Sequence, residues 1–423
     1  MRSAALYTSW SPIDADKHKK ERVNQYFMKT NQVRVPMSLP DLTDADRQAV
    51  MEVLNTPNLS MGPKVDAFEE SVARYVGAKH AIAVNSGTSG LHLCVRAAEI
   101  GERDLVITTP FSFVASTNVL LFEKALPVFV DVDPLTGNMD VEKALEAVED
   151  LRKGGSAGAR WLARKGAGVH NALKAIIAVD VFGQPLDYDP LVKTAEKYGF
   201  KLIEDSCESL GGRYKSRPTG MLGDYGVFAF YPNKQITTGE GGMIVTDDDK
   251  AAGLMRALRN QGRAPGDTWL QHTHLGYNYR LDEMSAALGL AQMQRIEELI
   301  AKRQRVANWY TERLVRVAGV TPPAVAVHTT RVSWFVYVIQ LEKSINRDRV
   351  ADGLKERGIP VRPYFLPIHL QPYMVDLFGY KPGDYPVTEQ MGRCGMALPF
   401  SGMMTEEQVD LVCRELVDCI AQG

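Results

Sequence analysis

The stretch AIIAVDVFGQPLDYDPLVKTAEKYGFKLIED, residues 175–205, places a helical pattern between two strand-like runs, and this order decides the fold. The runs at 175–181 and 201–205 are largely apolar, whereas 187–198 has the spacing of a helix. Nearly continuous apolar runs are typical of strands that are covered on both faces of a mainly parallel sheet. The stretch therefore predicts an α/β architecture.

The same alternation extends from residue 66 to residue 245. It predicts a mainly parallel seven-stranded sheet flanked by helices, with ligands gathering at the carboxyl ends of the strands. The other predicted strands are 81–85, 105–109, 127–132, 226–231 and 242–246, and the other predicted helices are 66–76, 88–99 and 140–150.

Three parts of the chain are expected from its patterning: an N-terminal arm at 1–32, a large domain at 33–281 and a smaller α+β domain at 282–423. The smaller domain is predicted to begin with a long helix at 282–317 and to contain a strand at 333–341. Its last helix has a capping box formed by Thr405 and Gln408, and its spacing places Cys413 in the core and Cys419 at the surface.

A segment rich in glycine and alanine, residues 155–170, interrupts the strand–helix order. Two interpretations remain open: a solvated loop, which is the commoner case, or a cationic flap over a phosphorylated substrate. The basic residues in or near the segment are Arg152, Lys153, Arg160, Arg164 and Lys165.

The composition is that of an ordinary globular protein, since 45% of the 423 residues are hydrophobic and 24% are charged. A net charge of -2 gives no reason to expect nucleic acid or an anionic membrane as a partner. No apolar run approaches the roughly 18 residues of a membrane-spanning helix. Five cysteines without a Cys-x-x-Cys pair favour the reducing cytoplasm. His272 and His274 lack a nearby third ligand, so no metal site is expected.

One lysine stands out in AFYPNKQITTGEGG, residues 229–242, where Lys234 follows an apolar strand that Pro232 ends. A phosphate-binding P-loop needs its glycines before the lysine, whereas here they follow it at 239, 241 and 242. An exposed loop lysine is disfavoured by the buried strand before it. Because burial favours the neutral amine that attacks aldehydes, Lys234 is predicted to form a Schiff base.

Pyridoxal phosphate (PLP) is a cofactor that such a lysine could hold. The other groups that bind PLP can be found at the ends of further predicted strands. Its phosphate needs backbone N–H groups at a helix N-terminus, which Gly87 and Thr88 offer in NSGTSGLHL. Its pyridine nitrogen needs a carboxylate, which Asp205 offers, and Phe113 in TPFSFVAS offers an aromatic face. Each feature alone is more often structural, but all of them together with Lys234 indicate a PLP site.

Eight motifs along the chain resemble one family of enzymes. They are NSGTSGL, FSFVAS, PVFVDVDPLTGNMD, FGQPLDYDP, EDSCESLGGRY, FAFYPNKQITTGEGGMIVTDD, LGYNYRLDEMSAALGLAQ and PIHLQPYM. In this order they resemble the DegT/DnrJ/EryC1/StrS family of PLP-dependent sugar aminotransferases over about residues 34–418. The resemblance implies fold type I of the aspartate-aminotransferase superfamily. The arm 1–32 and the segment 152–170 have no counterpart in the family pattern.

The resemblance also implies a role for each candidate residue. Lys234 would carry the cofactor and then move a proton, and Asp205 would pair with the pyridine nitrogen. Phe113 would stack on the ring, and the amides of Gly87 and Thr88 would hold the phosphate.

Further roles rest on the resemblance alone. Glu208 matches a position near the cofactor hydroxyl, and Asn278 matches a residue that reaches the phosphate of the partner subunit's cofactor, which implies a homodimer with shared active sites. Many members have a serine hydroxyl on the phosphate where this chain has Ala229, so that contact is absent or supplied otherwise. A dehydratase branch replaces the lysine by histidine, so Lys234 favours transamination over dehydration.

The leading hypothesis is transfer of an amino group from glutamate or glutamine to a nucleotide-linked keto-deoxysugar. The alternatives are the same chemistry on a keto-cyclitol, or a PLP-binding regulatory protein of this fold without turnover. A regulator is disfavoured because Lys234 is kept and the sequence offers no helix-turn-helix segment. For Trp334, Tyr364 and His369 core packing is the commoner expectation, and the alternative places their loop at the mouth of the substrate site.

Overall fold

The computed structural model describes residues 33–165, 168, 170–264 and 266–422. The predicted N-terminal arm, 1–32, lies outside these residues. Within them, no helix is both long enough and apolar enough to cross a membrane. The strands are β1 (His80–Val84), β2 (Leu105–Thr108), β3 (Leu126–Phe129), β4 (Leu173–Val179), β5 (Lys201–Asp205), β6 (Arg213–Tyr214), β7 (Arg217–Pro218), β8 (Tyr225–Ala229), β9 (Gly242–Thr246), β10 (Val320–Thr321), β11 (Thr329–Arg331), β12 (Tyr337–Leu341) and β13 (Gly395–Leu398).

Helices surround these strands, and two further segments, Val181–Gly183 and Ile368–Leu370, are 3₁₀ helices. The α-helices are α1 (Asp44–Leu54), α2 (Pro63–Val76), α3 (Gly87–Ala97), α4 (Ala115–Phe122), α5 (Val141–Lys153), α6 (Gly155–Ala159), α7 (Tyr188–Tyr198), α8 (Asp249–Arg259), α9 (Glu283–Met293), α10 (Ile296–Leu314), α11 (Arg347–Glu356), α12 (Pro372–Phe378), α13 (Pro386–Cys394) and α14 (Glu406–Ala421).

In the described part of the chain, a seven-stranded sheet has the order β1-β9-β8-β5-β4-β2-β3. The pairs β2–β3, β2–β4, β4–β5 and β5–β8 are parallel, while β9 runs antiparallel to both of its neighbours. This confirms the predicted mainly parallel sheet of an α/β fold. Because the parallel strands point the same way, the loops after β1, β2, β4, β5 and β8 meet at one edge.

Apolar side chains fill both faces of this sheet. Successive residues of β4 illustrate the arrangement: Ile176 and Ile177 are both fully buried but belong to different hydrophobic clusters. Ile177 packs in the cluster that includes residues of α3 and α8, and Ile176 packs in the cluster that includes residues of α5 and α7. A strand covered on both faces is what its uninterrupted apolar run predicted.

Two predicted strands and one predicted helix differ from the structure in ways that have a clear physical reason. The strand predicted at 127–132 ends at Phe129, and Asp131 beyond it accepts hydrogen bonds from the backbone N–H groups of Val387 and Thr388. The strand predicted at 333–341 begins only at Tyr337. The helix predicted at 282–317 is two helices, α9 and α10, separated between Met293 and Ile296.

The C-terminal part contains a sheet of order β10-β12-β13, packed with α10, α11 and α14. The predicted capping box of α14, Thr405 with Gln408, is confirmed. Cys413 is buried as predicted, but the predicted surface position of Cys419 is wrong: it is 6% exposed because it packs against Gly353 of α11.

The division at residue 282 stays a prediction. Helix α9, which follows it, packs on α1 and α2. The carboxylate of Glu283 accepts hydrogen bonds from the backbone N–H groups of Gly62, Lys64 and Val65, which satisfies the free amides at the start of α2.

The glycine-rich segment predicted at 155–170 is anchored by ion pairs along its described residues. Arg160 contacts the carboxylates of Glu146 and Asp150 on α5, and Arg164 contacts Asp384 beyond α12. Its first residues form the short helix α6. With Lys153, whose Nζ atom is 3.6 Å from Asp150, three of the five basic side chains pair with acidic groups of this chain, which favours the loop interpretation over the flap.

Candidate active site

The edge where the parallel strands end brings together most of the predicted residues. Gly87 opens α3 after β1, Asp205 is the last residue of β5, and Lys234 follows β8. A methyl group built on Gly87 would lie 2.8 Å from the Cβ atom of Ala229 and 2.8 Å from the Sγ atom of Cys207. The start of α3, the turn after β5 and the end of β8 therefore meet in one place.

The start of α3 offers backbone amides to an anion. Ser86 is the N-cap residue, and its hydroxyl accepts a hydrogen bond of 3.1 Å from the backbone N–H of Ser89. The first amides of a helix have no partners within it and lie at the positive end of its dipole. Gly87 and Thr88 supply such amides, and the absence of a side chain on Gly87 lets the three elements pack closely where they meet. These features fit a phosphate.

Asp205 presents a buried carboxylate at the end of β5. Its Oδ2 atom accepts a hydrogen bond of 2.7 Å from the Ser116 hydroxyl, and its Oδ1 atom accepts one of 3.3 Å from the backbone N–H of Cys207. The residue is only 6% exposed. Because a buried carboxylate is costly without a positive partner, this site fits a protonated pyridine nitrogen.

The amine of Lys234 contacts both a carboxylate and an aromatic ring. Its Nζ atom is 3.6 Å from the Glu208 Oε1 atom and 3.8 Å from the centroid of the Phe335 ring. The side chains of Lys234 and Glu208 are 12% and 10% exposed. Glu208 also accepts a hydrogen bond of 2.9 Å from the backbone N–H of Phe182. The amine is therefore held in the partly buried position that the sequence predicted.

Burial raises the pKa of the Glu208 carboxyl, while the charge of Lys234 and the N–H of Phe182 act in the opposite direction. The neighbouring Cys207 thiol also has a pKa raised well above its ordinary value, because it is buried and lies near Asp205. The Cys207 thiol is thus kept protonated beside Asp205, and its sulfur fills space next to Gly87.

Two other predicted residues, Phe113 and Asn278, also lie beside strand ends. Phe113 follows β2 and is 64% exposed, so its ring faces outward rather than packing in the core. Asn278 pairs through its backbone with Asn260, and its carbonyl oxygen accepts a bond of 3.4 Å from the Asn85 side chain.

Among the three residues with open interpretations, two pack in the core. Trp334 is buried and donates to Gln304, and His369 is fully buried with Glu389 at 3.1 Å. Burial lowers the pKa of His369. Tyr364 is partly buried, and its ring contacts those of Phe182 and Phe335 near Lys234.

Sequence reasoning missed three neighbours of the site. Ser116 lies within the quoted motif FSFVAS, so its bond to Asp205 could have been proposed from that motif. Phe335 was assigned to a strand, and nothing in its neighbourhood marked it as the partner of Lys234. Arg303 donates to the backbone carbonyl of Lys234, yet it resembles any other basic residue on an amphipathic helix.

The chain matches the model of the DegT/DnrJ/EryC1/StrS aminotransferase family over residues 40–417. A GDP-perosamine synthase of Caulobacter vibrioides is 38% identical over 387 residues, which cover 90% of this chain and 97% of that protein. The UDP-4-amino-4-deoxy-L-arabinose–oxoglutarate aminotransferase of Shewanella sediminis is 32% identical, covering 83% and 88% of the two chains.

A solved structure shows the same fold. Helicobacter pylori PseC, an aminotransferase involved in the biosynthesis of pseudoaminic acid, superposes with a TM-score of 0.81 at 28% identity and covers 92% of this chain and 100% of its own. These matches agree with the predicted fold type I and with PLP as the cofactor that the site fits. The chain therefore belongs to the DegT/DnrJ/EryC1/StrS family and is a PLP-dependent sugar aminotransferase.

Proposed function

We propose that this aminotransferase moves an amino group from glutamate, or from glutamine, to the keto group of a nucleotide-linked keto-deoxysugar. The observation that carries the chemistry is the Lys234 amine, 3.6 Å from Glu208 and close to the end of the strand that presents Asp205. The names of the Caulobacter and Shewanella relatives, a GDP-linked and a UDP-linked sugar enzyme, support a nucleotide-linked acceptor. The second name also contains oxoglutarate, the product that glutamate leaves as a donor.

The chain's own residues would each perform one task. When bound, PLP supplies an electron sink for carbon next to nitrogen. The buried carboxylate of Asp205 would hold a proton on the pyridine nitrogen, and the Ser116 hydroxyl, which donates to that carboxylate, would orient it. The Lys234 Nζ atom would anchor the cofactor and would also be the base that carries the proton moved in transamination. Glu208 lies beside that atom and orients it.

The cofactor phosphate would be held by the amides of Gly87 and Thr88 at the start of α3. Ala229 contributes no hydroxyl at this point, so backbone groups carry more of the binding than in relatives with serine. Phe113 would cover the open face of the ring. The positions of these residues at one edge of the sheet support the assignments.

A homodimer with shared active sites would explain several exposed apolar side chains. Phe113 is 64% exposed, and Trp269, Leu270 and Leu275 are each more than three-quarters exposed. Asn278 lies near the last of these, and we propose that it reaches the phosphate in the partner subunit's site. The free cysteines of the described chain suit the cytoplasm as the place of reaction.

A substrate screen tests the proposal. The purified protein, loaded with PLP, is given glutamate or glutamine with a panel of nucleotide-linked 3-keto and 4-keto sugars, and the amino product is identified by mass. We expect at least one of these sugars to be aminated, with one oxoglutarate formed for each amino sugar when glutamate is the donor. Amination of a keto-cyclitol in place of every nucleotide sugar would overturn the proposed substrate class.

A further inference from the structure

Arg303 is a buried cation whose hydrogen bonds, in the described part of the chain, all go to backbone carbonyls. It lies on α10 and is 4% exposed. Its Nη1 atom donates to the carbonyl oxygens of Trp334 at 3.3 Å and Phe335 at 3.2 Å. Its Nη2 atom donates to the carbonyl oxygen of Asn233 at 3.1 Å and to that of Lys234. Buried arginines usually pair with a carboxylate, so this arrangement calls for a reason.

The four carbonyls belong to two segments, one that carries Lys234 and one that carries the ring beside its amine. Asn233 and Lys234 form the turn that carries the lysine, and Phe335 provides the ring that lies 3.8 Å from its Nζ atom. One planar guanidinium therefore fixes both the backbone of Lys234 and the ring against which its amine rests. The side chain of Gln235 makes a second link, since it donates to the carbonyls of Glu208 at 2.5 Å and Ser333 at 2.8 Å.

The chemistry of the guanidinium suits this role. Burial lowers the pKa of Arg303 to about 10, so the group keeps its charge at neutral pH and its hydrogen bonds are charge-assisted. Its donors form a rigid fork, whereas the ammonium of a lysine is a point charge on a flexible stem. A lysine at this position could bind one of the two segments but could not hold both in register.

We propose that Arg303 is a positioning residue for the aminotransferase reaction, which holds Lys234 and Phe335 in the relative placement that proton transfer requires. The inference rests on the proposed role of Lys234. Small displacements of a reacting group slow catalysis strongly, because the rate depends on near-attack geometry. Loss of the Arg303 hydrogen bonds should therefore slow turnover while leaving the binding of the amino donor nearly unchanged.

Three variants test this: Arg303→Met, Arg303→Lys and a matched control, Arg295→Met. Arg295 lies at the start of the same helix, is also largely buried, and binds carboxylates of Asp41 and Glu298 at 3.1 and 2.9 Å instead of the lysine turn. The measurements are kcat and KM for glutamate with a keto-sugar acceptor, the rate at which borohydride fixes PLP to Lys234, and Tm.

We expect Arg303→Met to lower kcat on the order of 100-fold, with KM for glutamate within about twofold of wild type. The kcat of Arg303→Lys should lie between those of wild type and Arg303→Met. The rate of borohydride fixation should fall in the same order, from wild type through Arg303→Lys to Arg303→Met. The Arg295→Met control should lower Tm but leave kcat within about twofold. If Arg303→Met does not fold, the comparison of Arg303→Lys with the control decides.

The comparison is made at equal fraction of folded protein. The inference is overturned if kcat and the rate of borohydride fixation fall no further in the Arg303 variants than in Arg295→Met. The proposed function fails in a different way: wild-type protein would then carry no PLP on Lys234 after borohydride treatment. PLP on Lys234 in wild type, together with control-like Arg303 variants, would reject only the positioning role.

Discussion

Substitution of Gly87 by alanine tests whether the start of α3 is the phosphate site. The new methyl group would lie 2.8 Å from both the Ala229 Cβ and the Cys207 Sγ atoms. Carbon atoms in contact are normally about 3.5–4.0 Å apart, so both neighbours or the helix start must move by roughly 0.7 Å or more. Overpacking of this kind costs about 1–3 kcal/mol. Movement of the first turn would also displace the amides of Gly87 and Thr88.

The assay has two parts: urea unfolding of the apoprotein and titration of the apoprotein with PLP followed by absorbance or fluorescence. We expect Gly87→Ala to unfold at lower urea and to bind PLP about tenfold more weakly, since tenfold in Kd corresponds to about 1.4 kcal/mol. The control is Gly253→Ala on α8, where an added Cβ has no atom within 4 Å. That change should stabilise by about 0.5–1 kcal/mol without altering PLP binding. A Gly87→Ala variant with wild-type stability and PLP affinity would refute the reasoning.

Three other outcomes are expected. Asp205→Asn should slow the glutamate half-reaction on the order of 100-fold in single-turnover kinetics, because the charge that holds the pyridine proton is gone; a wild-type rate would exclude that role. Glu283→Gln should lower the free energy of unfolding in urea by about 2–3 kcal/mol, since three backbone N–H groups lose a charged acceptor; an unchanged midpoint would contradict this. Burial lowers the pKa of His92, so its contribution to stability is complete above about pH 6.5 and is lost as the pH falls through its lower folded-state pKa. The unfolding free energy of wild type minus that of His92→Gln should therefore decrease on acidification, and an increase would contradict a lowered pKa of His92 in the folded state.

The sheet could be predicted from the sequence because its strands are short, apolar and regularly separated by helical patterns. All seven predicted strands are present in the central sheet. The direction of β9 could not be predicted, because an apolar run has the same appearance in either orientation. The end of β3 was missed because Val130 and Val132 remain buried after the strand has ended at Phe129.

Helix boundaries depended on contacts that a local pattern does not reveal. The break between α9 and α10 falls at Arg295, whose side chain binds Asp41 and Glu298. Helical spacing continues through the break, so the sequence indicated one long helix. Cys419 similarly has the spacing of a helix flank, but α11 covers it through the small residue Gly353.

The candidate site also contains some residues that could be predicted from the sequence and others that could not. Asp205 and Lys234 could be proposed from the residues because each stands where a buried strand ends, a place that requires a reason for a charge. Glu208 and Asn278 came from the family resemblance alone, and Glu208 does lie next to Lys234. Arg303 could not be found, because its role depends on carbonyl groups, which every residue carries and no sequence distinguishes.

The most direct test of the account is to locate the cofactor's covalent link. The purified protein is incubated with PLP, reduced with borohydride and digested, and the modified peptide is identified by mass spectrometry. The account predicts a visible absorbance band that disappears on reduction, with the pyridoxyl group on Lys234, and a Lys234→Ala variant that is colourless and inactive. A label on a different lysine, or a Lys234→Ala variant with wild-type activity, would contradict it.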